Sequence, residues 1–542
     1  MFKVISNRFP GTCGECGERV NAQAGYAVLA ERGGKWRTVC GPCHTGEAAP
    51  AAPAAPSFPL TDEQEQAVAL FAQGHSLAIQ AGAGTGKTST LVAIANSTGR
   101  SGQYVAFNRA IVDEAARKFP RNVACATAHS LAFRQVGFRY KGRLNSQRQS
   151  GAEVAARLRL SEFTCTVGGD ERTLSPAFLA SLVGKAVTTF CNSADEVPTT
   201  RHLPTVRGLC PVDETGATDW TNQNDLARHL APALETAWAD IIDPKGAGRF
   251  THDCYLKIWE LGLHGAPSIP GDFILFDEAQ DASPVLLSVV QQQGVQVVFV
   301  GDAQQAIYEW RGAVDALATV PADATSFLTN SFRFGPEVAE VANAILSTIP
   351  GAELRLVGRG AAGTVGPADE VDAVLTRTNS GAISVVLDSI ASGLRPHLVG
   401  GGTEVKAFAE AARDLQQGRS TSHPELAIFA SWDDVVRFVN SDPQGEELAC
   451  LVRLIENYGV GAILSAVSST VSESDADLVV STAHKSKGRE WDRVRLHGDF
   501  AETDDSSELR LLYVAVTRAR LHLDGTGCAP LAPFFDQDGE EG

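Results

Sequence analysis

The chain has no run of 18 apolar residues, and its start, MFKVISNRFPG, lacks a signal-peptide pattern, so the sequence predicts neither a membrane span nor secretion. Positive charge is scarce too. Lys and Arg number 46 against 64 Asp and Glu, a formal net charge of −18, which excludes a diffuse polycation that coats nucleic acid. It leaves room for a local basic groove, because phosphate contacts need only a few well-placed cations. No long-period internal repeat is present. What remains is an ordinary globular composition, 44% hydrophobic and 20% charged over 542 residues. That suits three or four domains of a soluble, cytoplasmic protein.

Of the 11 cysteines, four stand apart: Cys13 and Cys16 in CGEC, Cys40 and Cys43 in CGPC. Gly14 and Gly41 help each pair onto a tight turn, where two thiolates converge on one metal. Two such pairs complete a tetrahedral zinc site. Disulfides are one alternative, disfavoured in an intracellular chain; an iron–sulfur cluster is another. His44 reads as a bystander, and the seven remaining cysteines as packing residues. This module, residues 1–45, precedes an Ala/Pro-rich linker, GEAAPAAPAAPSFP, cut at 46–59. It therefore reads as tethered, and as a surface for a protein partner. Residues 534–542 form an acidic tail.

Beyond the linker, strands alternate with helices, the mark of an α/β layer fold. The short apolar strand SLAIQ runs into AGAGTGKTST, residues 81–90, and then a helix. This is a phosphate-binding loop in its required strand–loop–helix setting. Gly82, Ala83, Gly84, Thr85 and Gly86 wrap backbone N–H groups around phosphates. Lys87 supplies charge to the β- and γ-phosphates, Thr88 offers a hydroxyl to Mg²⁺, and Ser89 follows in the first helical turn. Ala81 stands where the pattern has glycine. A second buried strand, FILF, ends at Asp277 and Glu278. Asp277 suits the Mg²⁺ shell, and Glu278 suits orienting and deprotonating the attacking water.

A third strand, VQVVFV, leads into GDAQQAIYEWRGA, residues 301–313. Gln305 falls near the γ-phosphate, while Tyr308 and Trp310 offer faces to an unpaired base. If both halves act, this loop reads two ligands at once. The plainer reading is a strand and turn with a core tryptophan.

These segments, with LTDEQEQAV, AFNRA, TAHS, NSFRF, TAHKSKGREWD and LLYVAVTRAR, occur in the order found in UvrD/Rep-type superfamily 1 DNA helicases. Over about residues 60–525 the chain resembles that family, and within it the F-box DNA helicase subfamily without an F-box. The resemblance implies two RecA-like P-loop cores with inserted, mainly helical subdomains. The first core takes 60–130 and 251–322 around an insert at 131–250; the second takes 323–400 and 477–533 around a short insert at 401–476. It implies that Gln64 reads adenine, Phe332 stacks on the base and Glu490 contacts the ribose. Arg311, Arg333 and Arg518 surround the γ-phosphate, and Gln305 senses it.

On the DNA side, Phe107, Asn108, Arg109, Thr127, His129, Ser130, Thr482 and His484 are placed at strand ends as backbone contacts. FRQVGFRYKGRLNSQRQ, residues 133–149, interleaves aromatics with basic residues and reads as a second DNA contact. The implied activity is an ATP- and Mg²⁺-dependent helicase on single-stranded, tailed or forked DNA, with 3′-to-5′ polarity, in replication, repair or recombination. One alternative is a DNA-stimulated ATPase that strips bound proteins without processive unwinding. A non-enzymatic adaptor is opposed by the intact Lys87, Asp277 and Glu278.

Overall fold

The computed structural model describes residues 3–7, 11–13, 19–20, 25–29, 37–40, 43 and 59–535, except 107, 145–148, 213–216, 266–267, 308–315, 424, 428 and 442–445. The chain divides into two units, Met1–Pro59 and Leu60–Gly542.

In the first unit, Lys3–Ser6, Gly25–Leu29 and Arg37–Cys40 form an antiparallel sheet in that order, and Gly11–Thr12 pairs with Arg19–Val20. Its described core is Cys13, Val20, Val39 and Cys40. So small a core holds a fold poorly without a crosslink or metal.

The second unit is built on two parallel sheets. The apolar runs expected as strands are strands, buried on both faces by helices, as parallel sheets require. The first sheet runs Ala324–Leu328, Leu77–Ala81, Gln296–Gly301, Phe273–Phe276, Gly102–Ala106, Val123–Thr127. The first of these corrects the expected boundary. Ala324–Leu328 pairs in parallel with the phosphate-loop strand, Ala324 opposite Leu77, so the first core runs past 322 to Leu328. Without it the loop's own strand would be an open sheet edge. The crossover between cores follows at Thr329 and Asn330, both held by the carboxylate of Glu63 on the first helix. The second sheet runs Thr364–Val365, Ala519–Asp524, Trp491–Leu496, Ala373–Thr376, Leu478–Thr482, Pro396–Leu398.

The first insert is mainly helical, with Pro176–Asn192 and Thr221–Ile242 its long helices and one hairpin, Phe163–Val167 with Asp170–Leu174. Two residues of the basic, aromatic stretch expected to touch DNA are structural. Tyr140 is buried and stacks on Phe250 at 4.6 Å. Arg143 is buried as well, donating to the carbonyls of Asp240 (3.1 Å), Ile241 (2.9 Å) and Gly248 (3.0 Å). Arg134, Phe138, Arg139 and Lys141 remain exposed. Composition marks such a stretch but does not say which way each side chain turns.

The second insert packs on the second sheet. Phe408 of helix Thr403–Gln416 and Val452 and Ile463 of Glu446–Ser468 share a core with Val374, Leu398 and Val480 of the strands. Leu448–Ser468 is the one stretch among the described residues long and apolar enough to cross a membrane. Gly459 interrupts its helical geometry at φ 75°.

Candidate nucleotide and nucleic-acid site

The phosphate loop, Asp277, Glu278 and Gln305 all lie at the C-terminal ends of the first core's strands, where α/β sheets bind ligands. The phosphate loop leaves Leu77–Ala81 and enters helix Lys87–Asn96. Gly84 (φ 75°) and Gly86 (φ 81°) are left-handed, a conformation that costs glycine nothing. The helix start directs free N–H groups at the place a phosphate would occupy. Thr85 Oγ1 donates to Gly82 O at 2.9 Å and closes the loop.

Lys87 Nζ lies 3.6 Å from Glu278 Oε2. Burial alone would lower the lysine's pKa, yet Glu278, Asp302 and Asp277 hold it above the usual value. Asp277 is buried; its Oδ2 accepts Tyr104 Oη–H at 2.6 Å and its Oδ1 accepts Glu278 N–H at 2.9 Å. Burial, then the charge of Glu278, raises its pKa to about 6. Glu278 is half-buried, and Lys87 and Lys487 hold its carboxylate well below the usual range. Its backbone is left-handed at φ 54°, rare for a residue with a side chain and a form of strain found at working sites. A hydroxyl on the first helical turn (Thr88) and a buried carboxylate (Asp277) form a hard oxygen set of the kind Mg²⁺ takes.

The second core reaches this cluster from across the cleft. Arg518 is fully buried; its Nη2 donates to Gln305 Oε1 at 3.2 Å. Burial, with Arg333 nearby, lowers its pKa to about 9, so it stays charged at neutral pH. Gln305 Nε2 donates to Asp302 Oδ2 at 2.7 Å. Lys487 Nζ donates to Asp281 Oδ1 at 2.7 Å and to Gln305 O. Arg333 and Glu490, expected to meet different parts of the nucleotide, pair with each other at 2.6 Å. Phe332 is 53% exposed, as a stacking residue needs, and its N–H donates to Gly84 O at 2.9 Å. Gln64 closes a capping box with Thr61, and its Nε2 lies beside Gly86. Arg311, Tyr308, Trp310 and Phe107 lie outside the described residues.

Three of the expected DNA contacts also cap helices. Asn108 Oδ1 accepts Ile111 N–H at 2.9 Å, Thr127 Oγ1 accepts Ser130 N–H at 3.1 Å and Thr482 Oγ1 accepts Lys485 N–H at 3.4 Å. A threonine that caps through a lone pair keeps its proton for donation, so the two roles are compatible. His129 pairs with Asp253 at 3.1 Å, and Arg109 with Asp113 at 2.9 Å. Asn108 and His129 line the same cleft, 1510 Å³ in volume, as Lys87, Glu278, Gln305, Arg333 and Arg518. Arg109, Thr127, Thr482 and His484 do not line it.

Sequence reasoning missed Tyr104, Gln280, Lys487 and Tyr513. Tyr104 hides in an apolar strand, and a tyrosine there was the available signal. The others make their contacts across more than 20 intervening residues, and only their place inside recognisable motifs hinted at them.

In the first unit, the Sγ atoms of Cys13, Cys40 and Cys43 all lie within 4.8 Å of one another, and none is in a disulfide. Tetrahedral zinc with Zn–S bonds of about 2.3 Å sets sulfurs ~3.8 Å apart, so the three thiols fit. Cys16 lies outside the described residues.

A phosphate loop, an acidic strand end and arginines brought by a second parallel sheet define a P-loop protein with two RecA-like cores. Residues 64–311 match the AAA domain family, and 477–523 match the UvrD-like helicase C-terminal domain. The chain is 30% identical over 506 residues to F-box DNA helicase 1 of Gallus gallus, covering 85% of this chain and 48% of that one. It is 30% identical over 523 residues to F-box DNA helicase protein 1 of Schizosaccharomyces pombe, covering 86% and 57%. ATP-dependent DNA helicase UvrD2 of Mycobacterium bovis is 24% identical over 556 residues, covering 86% and 78%. The chain thus spans about half the length of the F-box helicases it matches. In both matches and in these relatives the chain is similar to the UvrD/Rep-type superfamily 1 helicases.

Proposed function

We propose that the chain is an ATP-dependent DNA helicase that translocates 3′ to 5′ on single-stranded DNA and opens tailed or forked duplexes in replication, repair or recombination. The bond from Arg518 to Gln305 carries this reading, because it joins the second core to the strand end beside Lys87 and Glu278. The loop amides and Lys87 hold the β- and γ-phosphates. Thr88 and Asp277 hold Mg²⁺, which when bound supplies positive charge to those phosphates. An arriving phosphate draws Lys87 away from Glu278, and the carboxylate, freed of its cation, becomes basic enough to take a proton from water. Arg311, Arg333 and Arg518 meet the charge that develops on the γ-phosphate.

To do so, Arg333 must leave Glu490, and Arg518 must share or leave Gln305. That exchange of partners, driven by ATP, moves one core against the other. Gln64, Phe332 and Glu490 bind the nucleoside. Phe107, Asn108, Arg109, Thr127, His129, Thr482 and His484 contact the DNA backbone, and Tyr308 and Trp310 stack bases at roughly 1–3 kcal/mol each. Cys13, Cys16, Cys40 and Cys43 hold zinc in a module that serves a protein partner.

ATP turnover with and without single-stranded DNA tests the reading. DNA should stimulate the intact chain, and Lys87→Ala should abolish turnover. Glu278→Gln should bind Mg-ATP but hydrolyse it at least ~100-fold more slowly. Near-normal turnover in Glu278→Gln removes that residue from water activation; absence of DNA stimulation defeats the reading as a whole.

A further inference from the structure

The phosphate loop is not shaped by its own core alone. A side chain at Gly82 would run into Leu354 and Leu356, and Ala83 shares a buried cluster with Phe334, Leu356 and Tyr513. Tyr513, on helix Ser506–Val516 of the second core, is fully buried. Its hydroxyl accepts the N–H of Ala83 at 3.3 Å and donates to Asp302 Oδ2 at 3.0 Å. The same carboxylate oxygen accepts Gln305 Nε2, whose Oε1 accepts Arg518. Asp302 N–H donates to Gln280 Oε1 at 3.1 Å, and Gln280 Nε2 donates to Glu278 Oε2 at 2.7 Å. One hydroxyl therefore closes a chain of bonds that runs from the phosphate loop to Glu278 on one side and to Arg518 on the other. Burial, then the charge of Asp302, keeps that hydroxyl protonated and a donor.

We propose that Tyr513 is a positioning residue for ATP hydrolysis. From the second core it fixes the shoulder of the phosphate loop through Ala83 N–H, and the amide of Gln305 through Asp302. The loop then holds its hydrolytic shape only while the two cores are together. This rests on the nucleotide-site reading given above.

Tyr513→Phe keeps the ring and removes one oxygen. In the full chain with saturating single-stranded DNA, kcat should fall about threefold to tenfold. KM for ATP and the affinity for a fluorescent ATP analogue should stay within about twofold, and the melting midpoint within ~2 °C. Asp302→Asn should lower kcat by a similar factor, and the double variant no further, because both break the same chain of bonds. A Tyr513→Phe kcat close to that of the intact chain overturns the proposal. So does a loss of kcat that comes with a melt lowered by more than about 5 °C, or a double variant whose losses multiply. Lys87→Ala, run alongside, separates the two failures. Turnover surviving that change sinks the nucleotide-site reading; a dead Lys87→Ala beside a normal Tyr513→Phe sinks only the role of Tyr513.

Discussion

As the proposed Mg²⁺ ligand Asp277 must be a carboxylate, yet burial and Glu278 raise its pKa to about 6. Above pH 6 the group is ionised and ready; as pH falls through 6 a proton competes with Mg²⁺. From pH 7 to pH 5 the Mg²⁺ concentration that half-saturates nucleotide binding should rise about tenfold, beyond the change measured for free nucleotide. A requirement flat across that range would show Asp277 ionised throughout, and its pKa unshifted. Asp277 and Glu278 were legible in sequence because an apolar strand ending in two acids, beside a phosphate loop, is a local pattern. Tyr104, which bonds Asp277 from another strand 173 residues away, was not. Neither was Tyr513, 430 residues from the amide it holds. Contacts of that span leave no periodicity to read.

The stretch 133–149 shows the same limit one level up. Its composition suggested a DNA surface, yet its buried Arg143 is a brace. Arg143 ties the end of helix Thr221–Ile242 to Gly248 through its carbonyl bonds. Arg143→Ala strands those carbonyls and should lower stability by about 3 kcal/mol, seen in denaturant melts, with the DNA affinity of the folded protein unchanged. Arg139 is exposed, and Arg139→Glu should do the opposite: normal melts, weaker and more salt-sensitive DNA binding. DNA affinity lost in Arg143→Ala at full stability would restore the surface reading to that residue. Strand 324–328 escaped for another reason. A five-residue strand carries little pattern of its own, and which sheet it joins depends on which edge stands open. The three strands Leu77–Ala81, Phe273–Phe276 and Gln296–Gly301 were legible, because buried parallel strands are nearly continuous apolar runs.

Across the whole chain, the two units make separable predictions. Elemental analysis should find one zinc, and a chain beginning at Pro59 should keep DNA-stimulated ATP turnover. Iron with visible absorbance, or no metal, would refute the zinc site. Insolubility of the shortened chain would refute its independence. The central claim is that ATP hydrolysis between the two cores drives directed movement on one DNA strand. Strand displacement on matched duplexes, one with a 3′ tail and one with a 5′ tail, tests it most directly. ATP should drive opening of the 3′-tailed duplex, little of the 5′-tailed one, and none of either by Lys87→Ala. Single-stranded DNA that stimulates ATP turnover while neither duplex opens would point to a protein-stripping ATPase. Opening that persists in Lys87→Ala would contradict the account outright.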